Sequence, residues 1–78
     1  MKDIAMISHN EVDKYIERAF EKFTFNCKYQ FSDSEYYSEI IITKFGTLFD
    51  LGIIDDHDFE DLCNRVDETL EKISNCEL

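Results

Sequence analysis

The sequence feature that most constrains the fold is the scarcity of residues that break regular structure. The chain has 78 residues, no proline, and glycine only at positions 46 and 52. A fold of many short strands needs many tight turns, and glycine and proline are the residues that favour such turns. The composition therefore predicts helices joined by a few short connections and argues against a many-turned β fold.

Three segments repeat apolar residues at steps of three and four, which is the period of an amphipathic helix. We predict helices over residues 8–24, 33–51 and 55–74. The short link at Gly52 makes the second and third helices an αα-hairpin. The predicted fold class is all-α: a small three-helix bundle that forms a single acidic domain over residues 1–78.

Capping residues mark several of the predicted helix ends. Ser32 and Glu35 have the spacing of a capping box, in which each side chain bonds the other residue's backbone N–H. Asp55 is the expected N-cap of the third helix. Gly52 can adopt the positive φ that ends many helices. Gly46 lies inside the second helix, where it costs about 1 kcal/mol relative to alanine and marks a break or a close helix crossing.

Residues 23–31 carry a different pattern, in which apolar side chains alternate with polar ones. This period of two is typical of a β-strand. The chain has no second alternating run to pair with it, so we interpret the segment as an extended connector whose aromatic side chains cover the helices. The alternative is a strand that pairs with a second copy of the chain, which would give a homodimer through residues 23–31.

The charge of the chain is large and unevenly distributed. There are 18 acidic and 8 basic residues, which give a formal net charge of −10. Residues 1–30 contain five of each sign, so the whole imbalance lies in residues 31–78. Such a surface repels phosphate groups, which argues against direct binding to nucleic acid or to anionic membranes. The expected partner is a basic protein.

The residues predicted to bind this partner lie on the second and third helices. Tyr36 is an aromatic anchor of the kind that interface hot spots favour, whereas Tyr37 is expected to lie in the core. If the hairpin is antiparallel, the acidic faces of the two helices merge into one patch. The full predicted set is Glu35, Tyr36, Glu39, Asp50, Asp55, Asp56, Glu60 and Asp61.

A catalytic or metal site is not expected. The run from Asp55 to Asp58 is rich in ligand-type side chains, but it lacks the alternating oxygens and the sixth-position glycine of a calcium loop. Cysteine and histidine do not occur at zinc-binding spacing. Three short helices seldom enclose the concave site that shifts catalytic pKa values. We therefore expect no enzyme activity and no cofactor.

The three cysteines are an odd number at irregular spacing, which is not typical of a secreted mini-protein held by disulfides. The N-terminal segment lacks the apolar run of a signal peptide, and no stretch approaches the roughly 20 apolar residues of a membrane span. We expect a cytoplasmic protein with reduced thiols. Cys63 falls on an apolar stripe and is predicted to be core.

Nucleases have basic substrate clefts that an acidic surface can occupy, so the leading interpretation is a stoichiometric inhibitor. In size, charge and the hairpin segment LFDLGIIDDHDFEDLC (residues 48–63), the chain resembles small acidic helical immunity proteins for bacteriocins and contact-dependent toxins. This resemblance implies binding to a nuclease toxin domain and assigns no role to any single residue. Two alternatives stay open: a phage-encoded inhibitor of restriction or CRISPR machinery that mimics nucleic-acid charge, and a small helical adaptor or dimerisation module.

Overall fold

The computed structural model describes residues 9–76 and consists of three packed helices. In chain order these are α1 (His9–Tyr29), α2 (Ser34–Asp50) and α3 (Asp56–Ser74), with a short 3-10 turn at Phe31–Asp33 between the first two. Residues 9–76 contain no strand. The predicted all-α class is confirmed, as is the three-helix bundle with an αα-hairpin formed by α2 and α3.

The helices run up, down and up, because both connections are short. α1 and α3 are therefore parallel, and Glu17 on α1 pairs with Arg65 on α3. The molecule has two ends. The turn end holds the start of α1, the hairpin turn and the start of α3, while the other end holds the end of α1 and the start of α2. The predicted helix start at residue 8 lies outside the described residues.

The extended connector predicted over residues 23–31 is wrong, because α1 continues to Tyr29. Phe23 and Cys27 prolong the inward stripe of the helix and are both buried, whereas Phe25 points outward. Steps of four residues fit both a period of two and a period of 3.6, so the alternation did not distinguish a strand from a helix. Because residues 23–29 are helical, the alternative of a strand that pairs with a second copy of the chain is also excluded for them.

α2 begins at Ser34, after the 3-10 turn. Its N-cap residue, Asp33, has φ −101° and ψ 13° and makes no side-chain capping hydrogen bond. The predicted capping box of Ser32 and Glu35 is wrong, because Ser32 lies inside the 3-10 turn rather than at the cap. Gly46 does not break α2, and no atom beyond the backbone of its own helix lies within 4 Å of a Cβ built on it.

The predicted glycine stop of α2 is confirmed. Gly52 has φ 75°, and its N–H donates to the Phe49 carbonyl at 3.0 Å. The N–H of Ile53 donates to the Leu48 carbonyl at 2.9 Å. These two bonds form the Schellman pattern, which satisfies carbonyls at the helix end and reverses the chain toward α3.

The predicted N-cap of α3 is also confirmed. Asp55 Oδ1 accepts a hydrogen bond from the Asp58 N–H at 2.8 Å, and Asp58 Oδ2 accepts one from the Asp55 N–H at 3.4 Å. The two aspartates thus form a reciprocal capping box. Both carboxylates also lie at the positive end of the helix dipole, which stabilises them.

The core lies between the three helices. Cys27 of α1, Phe45 of α2 and Val66 of α3 are fully buried, and the rings of Phe20 and Phe45 pack with centroids 5.4 Å apart. Cys63 is only half-buried, so its predicted core position is met in part. The other buried members of the cluster are Ala19, Phe23, Ile41 and Ile73.

Candidate protein-binding surfaces

The side chains predicted to bind a partner are all exposed, but they form two groups rather than one patch. Asp50 lies fourteen positions after Tyr36 on the same helix, which is about 21 Å at the helical rise of roughly 1.5 Å per residue. The first group, in the opening turns of α2, is Glu35, Tyr36 and Glu39. The second group, around the hairpin turn, is Asp50, Asp55, Asp56, Glu60 and Asp61.

Within the turn-end group, some carboxylates already have partners. Asp55 caps α3 through the reciprocal bonds with Asp58. Asp61 Oδ2 lies 3.6 Å from His57 Nε2, a pair that is ionic only when the imidazole is protonated, and both side chains are well exposed. The turn end therefore presents Asp50, Asp56 and Glu60 without an ion-pair partner among residues 9–76, Asp61 beside His57, and Asp55 as a cap that serves the fold.

The outer surface of α3 is predominantly acidic. The helix contains seven acidic and two basic residues. Its buried residues Val66 and Ile73 are seven positions apart on one line, so the opposite side of the helix faces outward. We call the exposed carboxylates on that side the acidic face; they are Glu60, Asp61, Glu68 and Glu71.

Neither cation of α3 lies on the acidic face. Arg65 turns toward α1, where its Nη2 donates to the two carboxylate oxygens of Glu17 at 3.0 and 2.8 Å. Lys72 lines the groove between α1 and α3. Glu68, at the edge of the acidic face, lines the same groove as both cations, whereas Glu60, Asp61 and Glu71 do not line it.

Arg65 connects α3 to α1 through its ion pair with Glu17. The guanidinium carbon lies 4.0 Å from the centre of the Phe20 ring, a cation–π geometry. The hydrogen bond from Arg65 holds the pKa of Glu17 below its ordinary value, with a smaller contribution from the charge of Arg65. Both side chains are about half exposed, so water screens the pair.

Glu68 and Glu71 were absent from the predicted set. The signal that identifies them is spacing, because Glu68 lies seven residues after Asp61 and therefore on the same side of the helix. The prediction concentrated on the hairpin turn, where acidic residues are densest in sequence. The structure extends the acidic surface along α3 instead.

The end of α1 exposes aromatic side chains. Phe25 is 69% exposed and Tyr29 is 80% exposed, and their rings stack with centroids 6.4 Å apart and planes 5° apart. Phe31, in the 3-10 turn, is 43% exposed. Large exposed aromatic side chains grouped on one surface are typical of interaction sites. We call Phe25, Tyr29, Phe31 and Tyr36 the aromatic end.

The two adjacent tyrosines of α2 differ in role. Tyr37 packs against the core, as predicted, and its hydroxyl donates to Gln30 Oε1 at 3.2 Å. Tyr36 is 62% exposed, and its ring lies 5.7 Å from that of Tyr37. Tyr36 is therefore the tyrosine of this pair that is available to a partner.

Two of the thiols, Cys27 and Cys63, lie in environments that disfavour the reactive thiolate. Burial raises the pKa of Cys27, and burial together with the nearby charge of Asp67 raises the pKa of Cys63. Cys76 is exposed. In the range 9–76, no three His, Cys, Asp or Glu side chains are grouped so that they could hold a metal ion. No helix in this range has the length and apolar character needed to span a membrane.

Comparison with known proteins returns no relative of this chain. No protein-family model, no curated protein and no solved structure matches it. The resemblance to toxin-immunity proteins therefore stays a prediction. The surface of the molecule is what indicates a function.

Proposed function

We propose that this protein is a stoichiometric inhibitor that binds a basic protein through its acidic face. Within this class we infer an immunity protein that neutralises a nuclease toxin domain in the cytoplasm. The observation that carries the proposal is the row of exposed carboxylates along α3, a helix in which acidic residues outnumber basic ones by seven to two. A nuclease cleft attracts phosphates and is therefore basic, so its potential complements that of α3.

The helix gives this surface a fixed shape. Glu60 and Glu71 are eleven residues apart, which corresponds to about 16 Å along the axis. The carboxylates lie on a helix whose backbone is already ordered, so binding loses little backbone entropy. A field that is predominantly of one sign steers a basic partner and raises the association rate.

The alternative of nucleic-acid mimicry by a phage-encoded inhibitor requires carboxylates at regular spacing. His57 and Asn64 lie on the same outward side of α3 and interrupt the acidic row. The irregular row favours an inhibitor with general charge complementarity over a mimic of phosphate spacing.

A second candidate function, the adaptor or dimerisation module, is supported by the aromatic end. The stacked pair Phe25 and Tyr29 remains largely exposed after folding, as a site of apolar association would. A homodimer through residues 23–31 would then use side chains of α1, since a strand is excluded there. Such association would be insensitive to salt, because burial of apolar surface drives it.

The test of the inhibitor proposal is capture of the partner by the full-length protein, followed by measurement on the purified pair. We expect a basic nuclease whose activity falls to zero at a 1:1 ratio, with an association rate that decreases as salt increases. A captured protein that is acidic, or one that lacks nuclease activity, would overturn the proposal.

A matched pair of variants locates the binding face. Glu68→Gln with Glu71→Gln removes two charges from the acidic face, and Asp13→Asn with Glu21→Gln removes two from α1. We expect the first pair to lower the association rate about fivefold and the second to change it less than about twofold. Equal effects would show that net charge, and not α3, controls association.

A further inference from the structure

A groove between α1 and α2 gathers cations that the proposed function does not use. The cavity measures ≈ 320 Å³ and is lined by side chains of both helices. Three of the eight basic residues of the chain converge on it. The lining residues are Tyr15, Arg18, Ala19, Glu21, Lys22 and Lys44.

The three cations are not engaged in ion pairs within residues 9–76. Arg18, Lys22 and Lys44 form no ion pair with any residue in the range that the structure describes. Glu21 is the carboxylate among the lining residues, and it also lines the neighbouring groove between α1 and α3. Arg18 and Lys22 are four residues apart on one helix, where like charges are mildly destabilising. An anion bound among the three would relieve this repulsion.

Apolar surface adjoins the cations. A second cavity of ≈ 160 Å³ shares Lys22 and Lys44 with the first and continues past Tyr37 and Ile40. Tyr15 and Ile40 are 43% and 39% exposed. The groove thus combines a cationic centre with aromatic and aliphatic walls, the mixture that fits a phosphorylated organic ligand.

We propose that this groove is a binding site for an oligophosphate, either free or attached to a nucleoside. The guanidinium of Arg18 offers a planar fork of donors to phosphate oxygens, and Lys22 and Lys44 act as point charges. Most of the net charge of −10 does not oppose binding of a phosphate here, because physiological salt screens exposed charges that lie more than about 8 Å from it. The site lies between α1 and α2, whereas the acidic face lies on α3, so each can be tested without the other.

The experiment is a titration of the full-length protein with pyrophosphate and, separately, with ATP in magnesium-free buffer, followed by amide chemical shifts. We expect saturable shifts at Arg18, Lys22 and Lys44. Lys44→Ala should weaken binding at least about tenfold, since one of three converging charges is lost. Lys72→Ala, which removes the same charge from the α1–α3 groove, should change it less than about twofold. Glu21→Gln should strengthen binding.

The two probes separate the sources of the phosphate. If ATP binds more tightly than pyrophosphate, and Tyr15→Leu reduces ATP binding to the pyrophosphate level, the result supports a nucleotide whose nucleoside contacts the Tyr15 ring. Equal binding of both probes supports the phosphate chain alone. Absence of saturable shifts with either probe would overturn the proposal, as would equal weakening by Lys44→Ala and Lys72→Ala in variants whose circular dichroism shows them folded.

Discussion

α1 and α3 run parallel and pack against the same helix, yet their outer surfaces differ. α1 contains four acidic and four basic residues, whereas α3 contains seven acidic and two basic ones. α1 exposes Tyr15, Phe25 and Tyr29, and α3 exposes no large apolar side chain. α1 buries four residues and α3 buries two, and all six are apolar. The comparison indicates that inward positions serve the bundle, and that the outward positions, which packing does not constrain, differ in chemistry between the two helices.

The largest expected effect tests this division within α1. Phe20→Ala should destabilise the protein by about 3–5 kcal/mol, because it leaves a cavity beside Phe45 and removes the ring under Arg65. The matched substitution Phe25→Ala should change the free energy of unfolding by less than about 0.5 kcal/mol, because Phe25 is largely exposed. Urea denaturation of both variants measures this, and a large loss from Phe25→Ala would contradict the division.

The reactivity of the three cysteine thiols tests how the buried interior of α1 differs from the more exposed α3. We expect the exposed Cys76 to react first with a thiol reagent, Cys63 next and Cys27 last. Burial raises the pKa of both Cys63 and Cys27, which lowers their thiolate fraction. Cys27 also needs an opening of the bundle, so it should be protected about 100-fold in a domain stabilised by a few kcal/mol. Site-resolved mass spectrometry checks this order, and comparable rates for Cys27 and Cys76 would contradict a packed α1.

Substitution of the two glycines by alanine tests the hairpin formed by α2 and α3. Gly52→Ala should destabilise by about 1 kcal/mol, because Gly52 has φ 75°, which strains any residue with a Cβ. Gly46→Ala should stabilise by about 0.5–1 kcal/mol, because Gly46 is helical and has free space around its Cβ position. Thermal and urea denaturation should show these opposite signs. A loss of stability in Gly46→Ala would mean that a close approach occurs at this position.

The smallest expected effect concerns the contact between α1 and α3. The pKa of Glu17 is lowered in the folded state, so the stabilisation by its pair with Arg65 is present at neutral pH and is lost as pH falls through the folded pKa. The size should be about 0.5 kcal/mol, as for other exposed pairs. Glu17→Gln should therefore lower stability at about pH 7 but not at about pH 3. A double-mutant cycle with Arg65→Ala isolates the contribution of the pair, and a coupling energy of zero at about pH 7 would contradict the prediction.

Local patterns predicted much of this fold. The stop at Gly52 and the cap at Asp55 were foreseen because each depends on hydrogen bonds between residues a few positions apart. The end of α1 was mispredicted because steps of four residues fit two periods equally well. The Ser32 cap was mispredicted because the 3-10 turn, whose position depends on how α1 meets α2, displaced the helix start.

The candidate surfaces were predicted less completely. Helical periodicity correctly predicted that the proposed partner-binding side chains are exposed. Their separation into two groups follows from the length of α2, which places the groups at opposite ends of that helix. The groove cations were beyond sequence reasoning, since Lys44 joins Arg18 and Lys22 only when α2 packs against α1. No spacing between nearby residues in the sequence indicates that these three cations lie in one groove.

The sequence by itself determined that the chain forms three amphipathic helices, where the hairpin turns, and that the excess of acidic residues follows residue 30. These properties depend on composition, period and contacts within a few positions. The tertiary structure alone decided which outward residues become neighbours. Arg65 meets Glu17 across 48 positions of sequence, and the cations of α1 and α2 share one groove. The physical reason is that burial of the apolar stripes sets the rotation and register of each helix, and only these bring distant side chains together.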